Sequence, residues 1–207
     1  MAIAVDYKRL ALVPGTSGTW EGKPTSAFRT TLQRRLESEL HARSLSLPHG
    51  YQSMECAARQ GALERAMRSM LHRKQVWVGH SEGGARILHA LRDPSIASRL
   101  QAVVLVSPAY ALWCSGSVDV DAALETLRLH SVRVLLLDTE TGFGGQEQRY
   151  AWPSTRGKLT AAIFSNPLWQ QKTVVGAHHS LRRGYADTAV EAVTTWARAL
   201  AVQDTRT

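Results

Sequence analysis

Residues 79–83 read Gly-His-Ser-Glu-Gly, the spacing G-x-S-x-G, and they fall where an apolar run breaks off. The run before the break, QVWVG (75–79), suits a buried strand; the stretch after it, EGGARILHALRD (82–93), suits a helix that stops at Asp93-Pro94. A serine on a tight strand-to-helix turn has its hydroxyl held clear of the sheet, where it can attack an electrophilic carbon. Side chains two residues before and two after it would meet the crossing helix and strand, so those places require glycine; Gly79 and Gly83 occupy them. Gly84 would let the helix pack closer still. The bland counterpart is a serine N-cap on an ordinary strand-to-helix turn.

Such a turn needs a sheet to stand on. RLALVP (9–14), QVWVG (75–79), LQAVVLVSP (100–108), RVLLLD (133–138) and QQKTVVGA (170–177) read as strands, with LSLP (45–48) a short, weak one. Between them lie helical patterns over 25–43, 51–74, 82–93 and 119–130, and an amphipathic helix over 185–200 closes the chain. The apolar runs are continuous rather than alternating, which implies a sheet covered on both faces. Strands separated by helices pair in parallel through right-handed crossovers. The expected architecture is a three-layer α/β/α sandwich with a mostly parallel central sheet, in one domain spanning 1–207. In such sheets ligands bind at the carboxyl ends of the strands, where Ser81 falls.

Composition narrows the partners. The apolar share of 44% and charged share of 20% are those of a globular chain. No apolar run approaches the ~20 residues of a membrane span, and the opening MAIAVDYKRLALVPG is not a signal peptide; a cytoplasmic protein without a membrane partner is expected. The net charge of +8 comes from scattered arginines without interleaved aromatics, which argues against a nucleic-acid partner. Cys56 and Cys114 form neither a disulfide framework nor metal-ligand spacing and are read as free thiols. No metal or organic cofactor is called for, and the oligomeric state is left open.

With these elements the chain resembles the α/β-hydrolase superfamily over nearly its whole length, from Val13 to the last helix. Among its members it looks most like small ones without a large lid, such as dienelactone-hydrolase-like enzymes and retinoblastoma-binding serine hydrolases. The resemblance implies a catalytic order of Ser, then Asp or Glu, then His. VVGAHHSLRRG after the last strand is similar to the family's Gly-x-x-His turn, whose step from Gly176 falls on His179, with His178 as the alternative base. His80 has the variable position of the elbow and is expected to pack behind it. The acid departs from the family pattern: RVLLLD is followed by TETGFGGQEQ, which puts Thr141 or Gly142 where the family has Asp. Glu140 is the first candidate and Asp138 the second, although Asp138 also suits a turn-holding role. Glu147, Asp119, Asp121 or no acid at all complete the alternatives.

Acyl transfer also needs two N–H donors for the oxyanion. The resemblance implies the backbone N–H of Glu82, directly after Ser81, and one from the loop VPGTSGTW, where Thr16 is the candidate and Ser17 its alternative. Tyr110, Trp113, Trp20, Phe143 and Trp152 are candidates for lining an open apolar pocket, whereas Trp77 reads as core. The stretch between Pro108 and Arg133 leaves little room for a lid. The expected activity is a serine hydrolase acting on a small-molecule carboxylic ester or thioester through an acyl-enzyme. The alternative is a non-catalytic protein of the same fold that binds a ligand or partner.

Overall fold

The computed structural model describes residues 10–13, 34–35, 37–38, 43–44, 54–69, 75–112, 116–142, 152–179, 181 and 184–204. Its strands are β1 (Leu10–Val13), β2 (Arg43–Ser44), β3 (Gln75–His80), β4 (Leu100–Val106), β5 (Ala111–Leu112), β6 (Gly116–Ser117), β7 (Arg133–Thr139) and β8 (Trp169–Val174). Its helices are α1 (Cys56–Ser69), α2 (Glu82–Ala90), α3 (Pro94–Ala97), α4 (Val120–Leu129), α5 (Trp152–Phe164) and α6 (Tyr185–Asp204).

Six strands make one parallel sheet in the order β2-β1-β3-β4-β7-β8. Every residue of β1 and β3 is buried, and so is all of β4 but Gln101 and all of β7 but Arg133. Successive side chains point to opposite faces, so two cores form. On one face Ala11, Trp77, Val103 and Leu136 pack with Leu63 and Met67 of α1, Ile87 and Leu88 of α2, Leu124 of α4 and Leu159 of α5. On the other, Leu12, Val78, Val104 and Leu135 pack with Ala189, Val190, Val193 and Trp196 of α6. Each buried aliphatic side chain contributes roughly 1.5–3 kcal/mol. The three-layer α/β/α arrangement and the parallel sheet expected from the apolar runs are therefore present.

Several boundaries differ from the sequence reading. The last strand ends at Val174 rather than residue 177, because Val175 and Gly176 already turn. The partner of β1 is Arg43–Ser44, and LSLP (45–48) lies outside the described residues. Of the helix expected over 25–43, residues 34, 35, 37 and 38 are described and helical, and residue 43 belongs to β2 instead. Helix α5 was not foreseen. Pro153 and Gly157 disguise it, and Leu159, Ala162 and Ile163 form too short a stripe to stand out. Among the described residues, the stretch between β4 and β7 holds the antiparallel β5–β6 pair and α4 and no large lid. Among the described residues no helix is long and apolar enough to cross a membrane.

Candidate active site

Ser81 sits between β3 and α2 with φ 56° and ψ −124°, a conformation that costs an L-residue about 1–3 kcal/mol. Backbone bonds hold it there. Its N–H donates to the Val106 carbonyl (3.1 Å), and its own carbonyl accepts from Gly84 (3.0 Å), Ala85 (3.4 Å) and Ala109 (2.9 Å). The turn closes because Gly79 has no side chain. A Cβ there would lie 2.5 Å from the Gly83 carbonyl carbon, 2.6 Å from its oxygen and 2.7 Å from the Gly84 nitrogen. Gly84 in turn lets α2 lean on Pro108. Behind the turn Glu82 is buried and accepts from Arg86 Nη2 (2.9 Å), while Arg86 Nη1 donates to Gln60 Oε1 (2.9 Å). A buried, hydrogen-bonded pair of this kind pins the first turn of α2 to itself and to α1.

His179 comes to the serine from the turn after β8. Its Nε2 lies 2.9 Å from Ser81 Oγ. Gly176 opens that turn at φ 75°, packed so closely on Tyr185 that a Cβ would lie 2.7 Å from its hydroxyl. The loop after β7 straps it down. Gly142 O accepts the His179 N–H (2.9 Å), and Ala177 O accepts both the N–H (3.2 Å) and the hydroxyl (3.1 Å) of Thr141. His178, the alternative base, is exposed, and its carbonyl closes the turn by accepting the Leu181 N–H (2.8 Å).

His80 is not simply packed behind the elbow. Its ring stacks on that of His179, centroids 5.4 Å apart and planes 19° apart, and its Nε2–H donates to the His179 carbonyl (3.2 Å). The surroundings keep the His179 imidazole neutral. Burial, then the neighbouring His80 and His178, push its pKa down to about 2.

The two carboxylates proposed as the acid do not meet this ring. The Glu140 carboxylate accepts the Gly176 N–H (2.6 Å), which braces the histidine turn through its backbone. Asp138 is fully buried inside β7, where it accepts the Thr139 N–H (2.9 Å) and pairs with Arg156 of the unforeseen α5. Burial, the dominant cause, raises its pKa against the opposing pull of Arg156. Among the described residues, Ser107 Oγ meets His179 Nδ1, at 2.7 Å, and lies 3.1 Å from Thr139 Oγ1. Ser107 is missing from the sequence reading. Its one signal there is a hydroxyl ending an apolar strand before a proline, in LQAVVLVSP.

Thr16 and Ser17, Glu147, and the pocket candidates Trp20, Trp113 and Phe143 lie outside the described residues. Tyr110 is fully buried in the core rather than lining a pocket. Trp77 is core, as expected.

No protein-family model matches the chain, and no curated protein matches it in sequence. Solved structures do match in three dimensions. Est1E from Butyrivibrio proteoclasticus superposes with TM-score 0.60 at 12% identity, covering 92% of this chain and 87% of that one. The esterase domain of a Rhodothermus marinus protein gives 0.59 at 14% identity, covering 96% and 89%. The monoacylglycerol lipase of Paleococcus ferrophilus gives 0.57 at 12% identity, covering 93% of each. The chain has the α/β-hydrolase fold that these structures share.

Proposed function

We propose that the protein is a serine hydrolase that cleaves carboxylic ester or thioester bonds of small molecules through an acyl-enzyme intermediate. The observation that carries this reading is the 2.9 Å approach of His179 Nε2 to a serine hydroxyl held at φ 56°. A serine hydroxyl is a poor nucleophile at neutral pH and needs a positioned base that is itself unprotonated. In the proposed cycle Ser81 Oγ attacks the carbonyl carbon while its proton passes to His179 Nε2. The oxyanion is held by the backbone N–H groups of Glu82 and Thr16. His179 then returns the proton to the leaving oxygen or sulfur, and water frees the acyl group by the same steps. The esterase domain and the monoacylglycerol lipase among the structural neighbours favour an ester as the bond cleaved.

Hydrolysis of p-nitrophenyl acetate or butyrate tests the reading. Ser81→Ala should lower kcat on the order of 10⁶-fold if the serine and its base act as a unit. A variant with wild-type turnover would leave the mechanism without its nucleophile. One observation favours a second reading, a non-catalytic binder of the same fold: among the described residues, Nδ1 of His179 meets the Ser107 hydroxyl, and Glu140 and Asp138 turn to other partners. For a binder, wild type and Ser81→Ala would be equally inert toward both esters.

A further inference from the structure

The residues around His179 come from four neighbouring strand ends of the sheet. Ser81 follows β3, Ser107 follows β4, Thr139 ends β7 and His179 follows β8. His179 therefore reaches back over β7 and β4 to the serine, and its second ring nitrogen passes above Ser107. Ser107 is fully buried, and its N–H donates to the Leu137 carbonyl (2.7 Å). It is held at φ 40°, a backbone state that non-glycine residues seldom adopt. Its hydroxyl lies 2.7 Å from the imidazole Nδ1.

We infer that Ser107 is the positioning partner of the base, a neutral hydroxyl doing for His179 Nδ1 what a carboxylate does in a Ser-His-Asp site. The inference rests on the hydrolase reading above for its catalytic consequence, but not for its geometry. When Nε2 accepts the Ser81 O–H, the neutral ring carries its one proton on Nδ1 and donates it to Ser107 Oγ (2.7 Å). The Ser107 O–H then donates to Thr139 Oγ1 (3.1 Å). The chain of donors runs one way, from Ser81 through His179 and Ser107 to Thr139, and it fixes the tautomer that a general base requires.

During attack the Ser81 proton moves to Nε2 as the new C–O bond forms and the carbonyl electron pair moves onto oxygen. Nδ1, Ser107 and Thr139 keep their protons throughout. At Nδ1 the imidazolium so formed is met by the hydroxyl dipole of Ser107. Among the described residues, His80 stacked on the ring and His178 beside it oppose the positive charge. The design gives a base that is correctly oriented, weak, and still neutral in acid.

Three variants of the full chain test this. Glycine suits φ 40°, so Ser107→Gly removes the hydroxyl without straining the backbone. It should lower kcat by about 10²–10⁴-fold with KM little changed. In ¹⁵N spectra of the histidines it should also move His179 away from the Nδ1–H tautomer. Aspartate is among the side chains that best tolerate positive φ. Ser107→Asp should put a carboxylate on Nδ1 and bring an acid limb of kcat/KM up toward pH 6–7, where the wild type is flat. Thr139→Val should have the smaller effect of loosening the Ser107 hydroxyl. A folded Ser107→Gly with wild-type kcat and an unchanged His179 tautomer overturns the inference, whether or not Ser107→Asp folds. Labelling of the wild type with a fluorophosphonate is scored separately. No label at Ser81 defeats the hydrolase reading, while the ¹⁵N tautomer still decides what Ser107 does.

Discussion

The turn at Ser81 depends on a contact that tolerates no added atom, so one methyl group should have opposite effects at two glycines. In Gly79→Ala the new Cβ would lie 2.5–2.7 Å from the Gly83 carbonyl and the Gly84 nitrogen. Ordinary carbon contacts fall near 3.5–4.0 Å, so relief needs a shift of about 1 Å. The clashing atoms are backbone in the first turn of α2, which the Arg86–Glu82 pair and Gln60 hold in place, so no side chain can swing away. Overpacking of this kind costs about 1–3 kcal/mol, which lowers Tm by roughly 2–12 °C in a chain of this size. Moving Ser81 by about 1 Å relative to His179 should lower kcat about 10²-fold. In Gly157→Ala, within α5, the Cβ would meet nothing within 4 Å. Replacing a mid-helix glycine there should gain about 0.5–1 kcal/mol and raise Tm by roughly 1–4 °C, with unchanged turnover. Differential scanning calorimetry and p-nitrophenyl butyrate kinetics read both variants. A Gly79→Ala protein with wild-type Tm and kcat would refute the close approach on which the elbow argument stands.

Other outcomes follow from the electrostatics of the site. The folded pKa of His179 lies far below its ordinary 6.5, so the unfolded chain takes up that proton first. Stability from the neutral ring is complete above pH 6.5 and declines as pH falls toward 2, by at most about 1.4 kcal/mol per pH unit. Asp138, raised above 3.8 by burial, adds a slope of the opposite sign, so the contribution is read as wild type minus His179→Gln in urea melts between pH 5 and 6.5. Identical slopes for the two proteins would contradict it. The same neutral base predicts kcat/KM for p-nitrophenyl butyrate without an acid limb near pH 6.5, and an ordinary limb there would count against the burial of the ring. Arg156→Ala strands the fully buried Asp138 carboxylate and should cost about 3 kcal/mol in a denaturant melt. Glu140→Gln keeps an oxygen for the Gly176 N–H and should leave kcat within a few-fold. A loss near 10⁴ would instead make Glu140 the partner of the imidazole.

The parts of the fold and site that the sequence reveals are those written in contiguous residues. Continuous apolar runs announce a sheet buried on both faces, and β1, β3, β4 and β7 fall close to where those runs lie. Gly79 and Ser81 announce a strained turn because the steric demand is local, and the step from Gly176 to His179 is likewise a property of one loop. What meets Nδ1 is not local. Chain order and charge favour Glu140 and Asp138, but the direction of each side chain is set by partners far away in sequence. Glu140 turns to the amide of Gly176, and Asp138 turns to Arg156 on a helix whose short apolar stripe escapes notice. Ser107 meets the ring only because β4 lies between β3 and β7 in the sheet and ends level with them. A serine before a proline is an ordinary turn in any chain, so nothing short of that strand order gives it away.

The central claim is that Ser81 is a nucleophile made reactive by the neutral imidazole 2.9 Å away. Exposure of the folded protein to a fluorophosphonate, with peptide mapping by mass spectrometry, tests it most directly. The account predicts one phosphonyl group per chain, attached at Ser81 and absent from a folded His179→Ala variant. A wild-type protein that stays unmodified, or that is modified equally well without His179, would contradict it.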